Sequence, residues 1–114
     1  MLNCLMNKNI VIIDDSQEIR ELIAVSLSRE GFSVFESESA KVGFPLILEY
    51  KPKIVLIDMR LPDLNGIEAV KKIREFDKGV KIIMISGLKS PEIEKESISA
   101  GADVFLCKNR KWYT

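Results

Sequence analysis

Four groups of side chains in this sequence could carry chemistry together. They are the paired carboxylates Asp14 and Asp15, the carboxylate of Asp58, the hydroxyl of Ser86 and the ammonium of Lys108. Three carboxylates brought close repel one another, and a divalent cation relieves that repulsion. Mg²⁺ suits such a set, because it takes oxygen ligands from one or two carboxylates and keeps positions for water and phosphate. A carboxylate is also a nucleophile able to form an aspartyl phosphate. Phosphoryl transfer needs its spreading negative charge neutralised, and a metal plus a lysine does that. A small hydroxyl such as that of Ser86 can donate to a phosphoryl oxygen. The sequence contains no histidine, the commonest general base and metal ligand. Its chemistry therefore runs on carboxylates, hydroxyls and lysine.

These residues act together only if the fold gathers them. Ile10-Val11-Ile12-Ile13 and Ile54-Val55-Leu56-Ile57 are continuous apolar runs, as expected of strands buried on both faces. Phe32 to Phe35, Val80 to Ile85 and Val104 to Cys107 read as three further strands. Helical patterns alternate with them. Asp15 and Glu18 stand at capping-box spacing before the stripe Ile19, Leu22, Ile23 and Leu27, with Gly31 as the stop. Pro45 to Tyr50 reads as a second helix. Ile67, Val70, Ile73 and Phe76 form a third, entered through Asn65-Gly66. Ser90-Pro91-Glu92 combines an N-cap, an N1 proline and a first-turn acid, and opens a fourth that ends at Gly101. Strands alternating with helices imply a parallel sheet with helices on both faces. Sites in such sheets form beyond the carboxyl ends of the strands, near the switch in strand order. With the order 2-1-3-4-5, Asp14-Asp15, Asp58, Ser86-Gly87 and Lys108 end neighbouring strands and meet in one crevice.

Each residue taken alone has an ordinary alternative. Asp14 and Asp15 suit a turn and an N-cap, Asp58 a polar strand end, Ser86-Gly87 a turn, and Lys108 a solvated charge. Phe105 and Cys107 read as core residues. The joint reading outweighs its parts, because the alternatives would all have to fall on one edge of one sheet.

Composition narrows the function classes. The chain has 114 residues, with 17 Lys and Arg against 17 Asp and Glu. That length allows one domain, burying roughly two-thirds of its unfolded surface. A hydrophobic share of 46% beside 30% charged residues is a globular mix. Zero net charge argues against gripping nucleic acid directly and against anionic membranes. No window approaches the roughly 18 apolar residues of a membrane span, and the first residues lack the basic and apolar regions of a signal peptide. The reading is a cytoplasmic chain with Cys4 and Cys107 reduced, since their spacing suits neither a metal nor a redox motif. No glycine fingerprint for a dinucleotide or a P-loop follows any strand.

The motifs Ile12-Ile13-Asp14-Asp15, Ile54-Val55-Leu56-Ile57-Asp58-Met59, Leu61-Pro62-Asp63-Leu64-Asn65-Gly66, Ile85-Ser86-Gly87 and Ala100-Gly101-Ala102-Asp103, leading to Lys108, occur in this order. Together they resemble the receiver domain of two-component response regulators, from about Asn9 to Lys108. The resemblance implies a flavodoxin-like three-layer α/β sandwich with a five-stranded parallel sheet in the order 2-1-3-4-5. It implies that Asp58 is the phospho-acceptor and that Asp14, Asp15, Asp58 and the backbone carbonyl of Arg60 hold Mg²⁺. Lys108 would pair with the phosphoryl group. Ser86 would be the switch hydroxyl and Phe105 the switch aromatic. The implied partners are a sensor histidine kinase or phosphotransfer protein and a downstream protein target or output domain. The implied chemistry is self-phosphorylation and autodephosphorylation rather than turnover of a released substrate. Residues 1–114 then form one domain: a leader 1–8, a receiver core 9–108 and a tail 109–114.

The same resemblance exposes departures. Arg60 stands two residues beyond the acceptor, where the family sets how long the phosphoryl group survives. Asn109 follows Lys108 in place of the family's cis proline, and a cis bond before a non-proline residue costs about 2.5–4 kcal/mol. Lys53 occupies a place where the family often has Asp. Pro45 falls inside the expected second helix, at a cost of about 3 kcal/mol or more for an interior proline, so that helix should begin at Pro45 or be distorted. The fourth helix has a thin apolar stripe of Ile93, Ile98 and Ala100, which predicts a loosely held element. After Lys108 only six residues remain, too few for a fifth helix. An uncovered sheet face predicts a homodimer or an exchanged segment, with Trp112 and Tyr113 as a partial plug. A degenerate receiver, binding proteins without phosphorylation, is the alternative function. A phosphohydrolase resembling the haloacid dehalogenase family is disfavoured, because Arg60 stands where its acid/base Asp belongs.

Overall fold

The computed structural model describes residues 7–88 and 90–108. Five strands, β1 (Asn9–Ile13), β2 (Ser33–Ser37), β3 (Ile54–Asp58), β4 (Lys81–Ser86) and β5 (Val104–Cys107), form one sheet. Its order is β2-β1-β3-β4-β5 and every pairing is parallel. Four helices alternate with the strands: α1 (Gln17–Arg29), α2 (Ala40–Tyr50), α3 (Gly66–Phe76) and α4 (Pro91–Ala100). This is the expected flavodoxin-like arrangement.

The two apolar runs lie where their composition requires. Central strands β1 and β3 are covered on both faces, so both faces of each are apolar. Edge strands β2 and β5 are only partly buried. On one face Val11, Ile13, Val55, Ile57, Ile82 and Met84 pack against α2, α3 and α4. On the other, Ile10, Ile12, Leu56 and Ile85 pack with Ala24 of α1. Val104 and Leu106 pair with Ile83 and Ile85 in register and stay 42% and 44% exposed. Residues 109–114, including the expected partial plug of Trp112 and Tyr113 and the peptide before Asn109, lie outside the described residues, as does Cys4.

Two helix starts differ from expectation, and both differences involve the future site. The N-cap of α1 is Ser16, whose hydroxyl accepts from the Ile19 N–H at 3.4 Å, not Asp15. Asp15 is thereby free of capping and stands among the acidic groups described below.

Helix α2 begins at Ala40, one turn and more before Pro45. Its opening N–H groups are satisfied from outside the helix. The Asp63 carboxylate accepts from Ala40 at 3.1 Å and from Lys41 at 2.8 Å, and the Ser39 hydroxyl accepts from Val42 at 3.3 Å. Pro45 removes one bond, the one to the Lys41 carbonyl, at an exposed position where that carbonyl is open to solvent. Gly43 lets α2 approach the sheet closely. A Cβ there would stand 2.5 Å from Ile13 Cδ1 and 2.8 Å from Ser37 Oγ. The thin stripe of α4 is as expected: Ser97 is its buried residue, and Ile98 remains 44% exposed.

Candidate functional site

The strand order sets β1, β3, β4 and β5 side by side, so their carboxyl ends share one edge. Asp14 follows the last residue of β1, Asp58 ends β3, Ser86 ends β4 and Lys108 follows β5. Lys108 is threaded into place by its own backbone, whose N–H donates to the Ser86 carbonyl at 2.6 Å. Its side chain, 13% exposed, then reaches across the sheet edge. Nζ stands 2.9 Å from Asp14 Oδ2 and 3.1 Å from Asp58 Oδ2.

Asp14 is held on every side. Its N–H donates to the Ser37 carbonyl at 3.0 Å, and its Oδ1 accepts from the Ser16 N–H at 2.9 Å. Its carbonyl accepts from Arg20 Nη1 at 2.7 Å. Oδ2 is buried with no aligned hydrogen-bond donor, so its contact with Lys108 is an ion pair that leaves acceptor capacity unused. Carboxylate oxygens of Asp14, Asp15 and Asp58 all lie within 4.8 Å of one another. A cavity of about 270 Å³ opens over them, lined by Asp15, Asp58, Arg60, Gly87, Leu88 and Lys108.

The charges do not balance within the cluster. Burial is the largest influence on Asp58, and the Asp14 charge adds to it. Lys108 and the Arg60 N–H oppose them but do not win, and the Asp58 pKa is pushed up from 3.8 to about 6. Burial works to lower the Lys108 pKa, but Asp14 and then Asp58 outweigh it and hold the ammonium above its usual 10.5. Three carboxylates against one ammonium leave two negative charges uncompensated. An all-oxygen donor set with that deficit, and one buried oxygen with no aligned donor, fits a hard divalent cation.

Similarity to known proteins agrees with this geometry. Residues 10–111 match the response regulator receiver domain family. The chain belongs to that family. Among curated relatives, the chemotaxis protein CheY of Halobacterium salinarum is 35% identical over 103 residues, 90% of this chain and 86% of the relative. A CheY-like receiver domain protein from Methanospirillum hungatei superposes with a TM-score of 0.84 at 33% identity, covering 90% of this chain and 82% of that one. The BeF3-activated N-terminal receiver domain of RstA from Klebsiella pneumoniae gives a TM-score of 0.84 at 27% identity, covering 89% and 86%.

The receiver fold brings together most of the residues expected from sequence. Asp14, Asp15, Asp58 and Lys108 form the cluster itself. Arg60 lines the cavity, and its N–H faces Asp58 Oδ1 at 3.4 Å. Ser86 is buried one residue from the cavity wall, and its hydroxyl both accepts from the Leu88 N–H and donates to the Leu88 carbonyl, at 3.1 Å each. Phe105 is half-buried against the core on the α2, α3 and α4 side.

The receiver also uses residues to which sequence reasoning assigned no role. Arg20 is 14% exposed, pins the Asp14 carbonyl and stands 3.5 Å from Glu36. Its spacing from Ile23 and Leu27 puts it on the apolar stripe of α1, and a charge on that stripe was a legible signal. Asp63 ties the loop after Asp58 to the start of α2. Nothing local announces that bond, because the partners are 22 and 23 residues apart.

Proposed function

We propose that this chain is a phosphorylatable receiver of a two-component phosphorelay, switching a protein-interaction surface by Mg²⁺-dependent transfer of a phosphoryl group to Asp58. One observation carries the reading: Lys108 Nζ is held between Asp14 Oδ2 and Asp58 Oδ2 beside a third carboxylate, Asp15. That arrangement leaves Asp58 facing a cavity of about 270 Å³, room enough for a phosphoryl group.

The residues divide the work. An oxygen of Asp58 attacks phosphorus, and the bond from phosphorus to the donor nitrogen of a kinase phosphohistidine breaks, leaving the imidazole to take a proton from solvent. With acetyl phosphate the same attack breaks a phosphorus–oxygen bond and releases acetate. Lys108 follows the charge as it moves from carboxylate to phosphoryl oxygen. Asp14, Asp15, Asp58 and the Arg60 carbonyl would hold Mg²⁺. When bound, the ion neutralises the carboxylates and the transferring group. Hydrolysis reverses the state: water attacks phosphorus, the bond to Asp58 breaks and inorganic phosphate leaves.

Switching requires that the phosphoryl group bind one arrangement better than another. Ser86 is the group that supplies the difference. In the present arrangement its hydroxyl hydrogen goes to the Leu88 carbonyl, and redirecting it to a phosphoryl oxygen releases that turn. Phe105, on the neighbouring strand, follows. Partners are a histidine kinase or phosphotransfer protein upstream and a protein target or output domain downstream, in the cytoplasm. Among the described residues no helix is long and apolar enough to cross a membrane.

The test is incubation with Mg²⁺ and acetyl phosphate, or beryllofluoride, followed by intact mass and amide-shift measurements. Stoichiometric adduct that Asp58→Asn abolishes is the expected result. Wild type and Asp58→Asn alike in showing no adduct would leave the phosphorylation-independent alternative standing instead.

A further inference from the structure

The loop between β3 and α3 carries Arg60 into the lining of the cavity. Its base is closed by two features. The Gly66 N–H donates to the Met59 carbonyl at 2.8 Å, and Arg60 faces Asn65 in an antiparallel bridge. Arg60 and the loop tip therefore move as one piece. The tip, Pro62-Asp63, is exposed between Leu61 and Leu64, which pack on the core, and one polar connection ties it to the neighbouring helix. Asp63 Oδ1 accepts from the Ala40 N–H at 3.1 Å and Oδ2 from the Lys41 N–H at 2.8 Å.

That connection is charge-assisted and bidentate, at the positive end of a helix. Slight burial works to raise the Asp63 pKa, but the N–H groups of Lys41 and Ala40 outweigh it and hold the carboxyl below its usual 3.8. The helix is itself fixed. Gly43 brings α2 close to Ile13, which directly precedes Asp14, and to Ser37, whose carbonyl accepts from the Asp14 N–H. A rigid path thus runs from the ends of β1 and β2, through α2 and Asp63, to the loop that bears Arg60.

We propose that Asp63 is a positioning residue for the phosphoryl pocket. By tying the loop to the start of α2 it fixes Arg60, which lines the cavity and whose N–H faces Asp58. This rests on the function proposed above and adds a residue to it. Asp63 touches neither the acidic cluster nor the cavity lining; it acts through Arg60.

Two measurements test it: the Mg²⁺ concentration at half-saturation, followed by calorimetry on the metal alone, and the half-life of the Asp58 adduct. Asp63→Ala should raise the Mg²⁺ midpoint threefold or more and change the adduct half-life by a similar factor. Asp63→Asn, which keeps one acceptor oxygen, should fall between. Removing Asp63 also uncaps α2, so Ser39→Ala is the control. It deletes the other cap of the same helix, on the Val42 N–H, and leaves the loop bonds intact. Ser39→Ala should lower stability while leaving both readouts within twofold of wild type. Combining Asp63→Ala with Arg60→Ala should change the half-life by less than the product of the two single effects.

Unchanged readouts in Asp63→Ala, equal changes in Ser39→Ala, or additive effects in the double variant would each overturn the positioning role while leaving phosphorylation intact. A wild-type chain that takes neither Mg²⁺ nor a phosphoryl group would overturn the parent function, and the positioning role with it.

Discussion

Replacing Asp58 by Asn should make the metal-free receiver more stable near neutral pH, although it deletes the central residue of the site. Asp58 is almost wholly buried, and its pKa is raised from 3.8 to about 6, first by burial and then by the Asp14 charge. That rise corresponds to a preference of about 3 kcal/mol for the uncharged group in the folded state. The cavity admits water on one side, so the realised gain from a neutral amide of the same shape is smaller, about 1–2 kcal/mol. The sign follows from proton linkage. Between pH 3.8 and about 6 the folded chain holds the Asp58 proton more tightly than the unfolded chain. Wild-type stability from this group therefore rises as pH falls through 6, reaches its full value below 3.8 and is lost again as pH rises. The advantage of Asn should be full above pH 7 and shrink towards zero near pH 4. Urea denaturation in EDTA at pH 7.5, 6 and 4.5 reads this directly. Adding Mg²⁺ at pH 7.5 should narrow the gap, because the ion stabilises wild type more than the variant. A variant less stable than wild type at pH 7.5 in EDTA, or an advantage that does not shrink by pH 4.5, would refute the electrostatic account of this cluster.

Lys108→Ala leaves Asp14 and Asp58 without their shared cation, and should cost about 3 kcal/mol at neutral pH in urea denaturation, with partial recovery below pH 6. Labelling by acetyl phosphate in limiting Mg²⁺ should decline as pH falls through about 6, because protonated Asp58 is no nucleophile. Saturating Mg²⁺ should carry that decline to lower pH, as followed by adduct mass. Gly66→Ala places a Cβ 2.7 Å from the Asp58 carbonyl oxygen and from Met59 Cα, both backbone. It should cost about 1–3 kcal/mol in thermal unfolding and slow labelling by shifting the loop. Arg20→Ala frees the Asp14 carbonyl and should raise the Mg²⁺ midpoint, whereas Arg20→Lys, which can still donate, should restore part of it.

Much of the fold was legible because its signals are local. A strand buried on both faces must be apolar throughout, so β1 and β3 stood out as unbroken runs. Ser90-Pro91 and Asn65-Gly66 named their helices because capping chemistry is written in adjacent residues. Reading failed where a distant partner intervened. Pro45 argued for a late start to α2, and Asp63 overruled it by satisfying N–H groups far away in the chain. Asp15 and Glu18 fitted a capping box, yet Ser16 took the cap while Asp15 joined the acidic cluster.

The candidate site divides in the same way. Its members were determined by the sequence alone: strand ends are recognisable, and one parallel order sets Asp14, Asp15, Asp58 and Lys108 on one edge. The state of those members was decided by tertiary structure. Only packing determines that Asp14 Oδ2 lacks an aligned donor, that Lys108 bridges two carboxylates, and that Asp58 is buried deeply enough to hold its proton to about pH 6. A pKa depends on distance and burial, and neither is a property of residue type. Arg20 and Asp63 belong to the same class, because the groups they hold come within reach only once the helices have docked on the sheet.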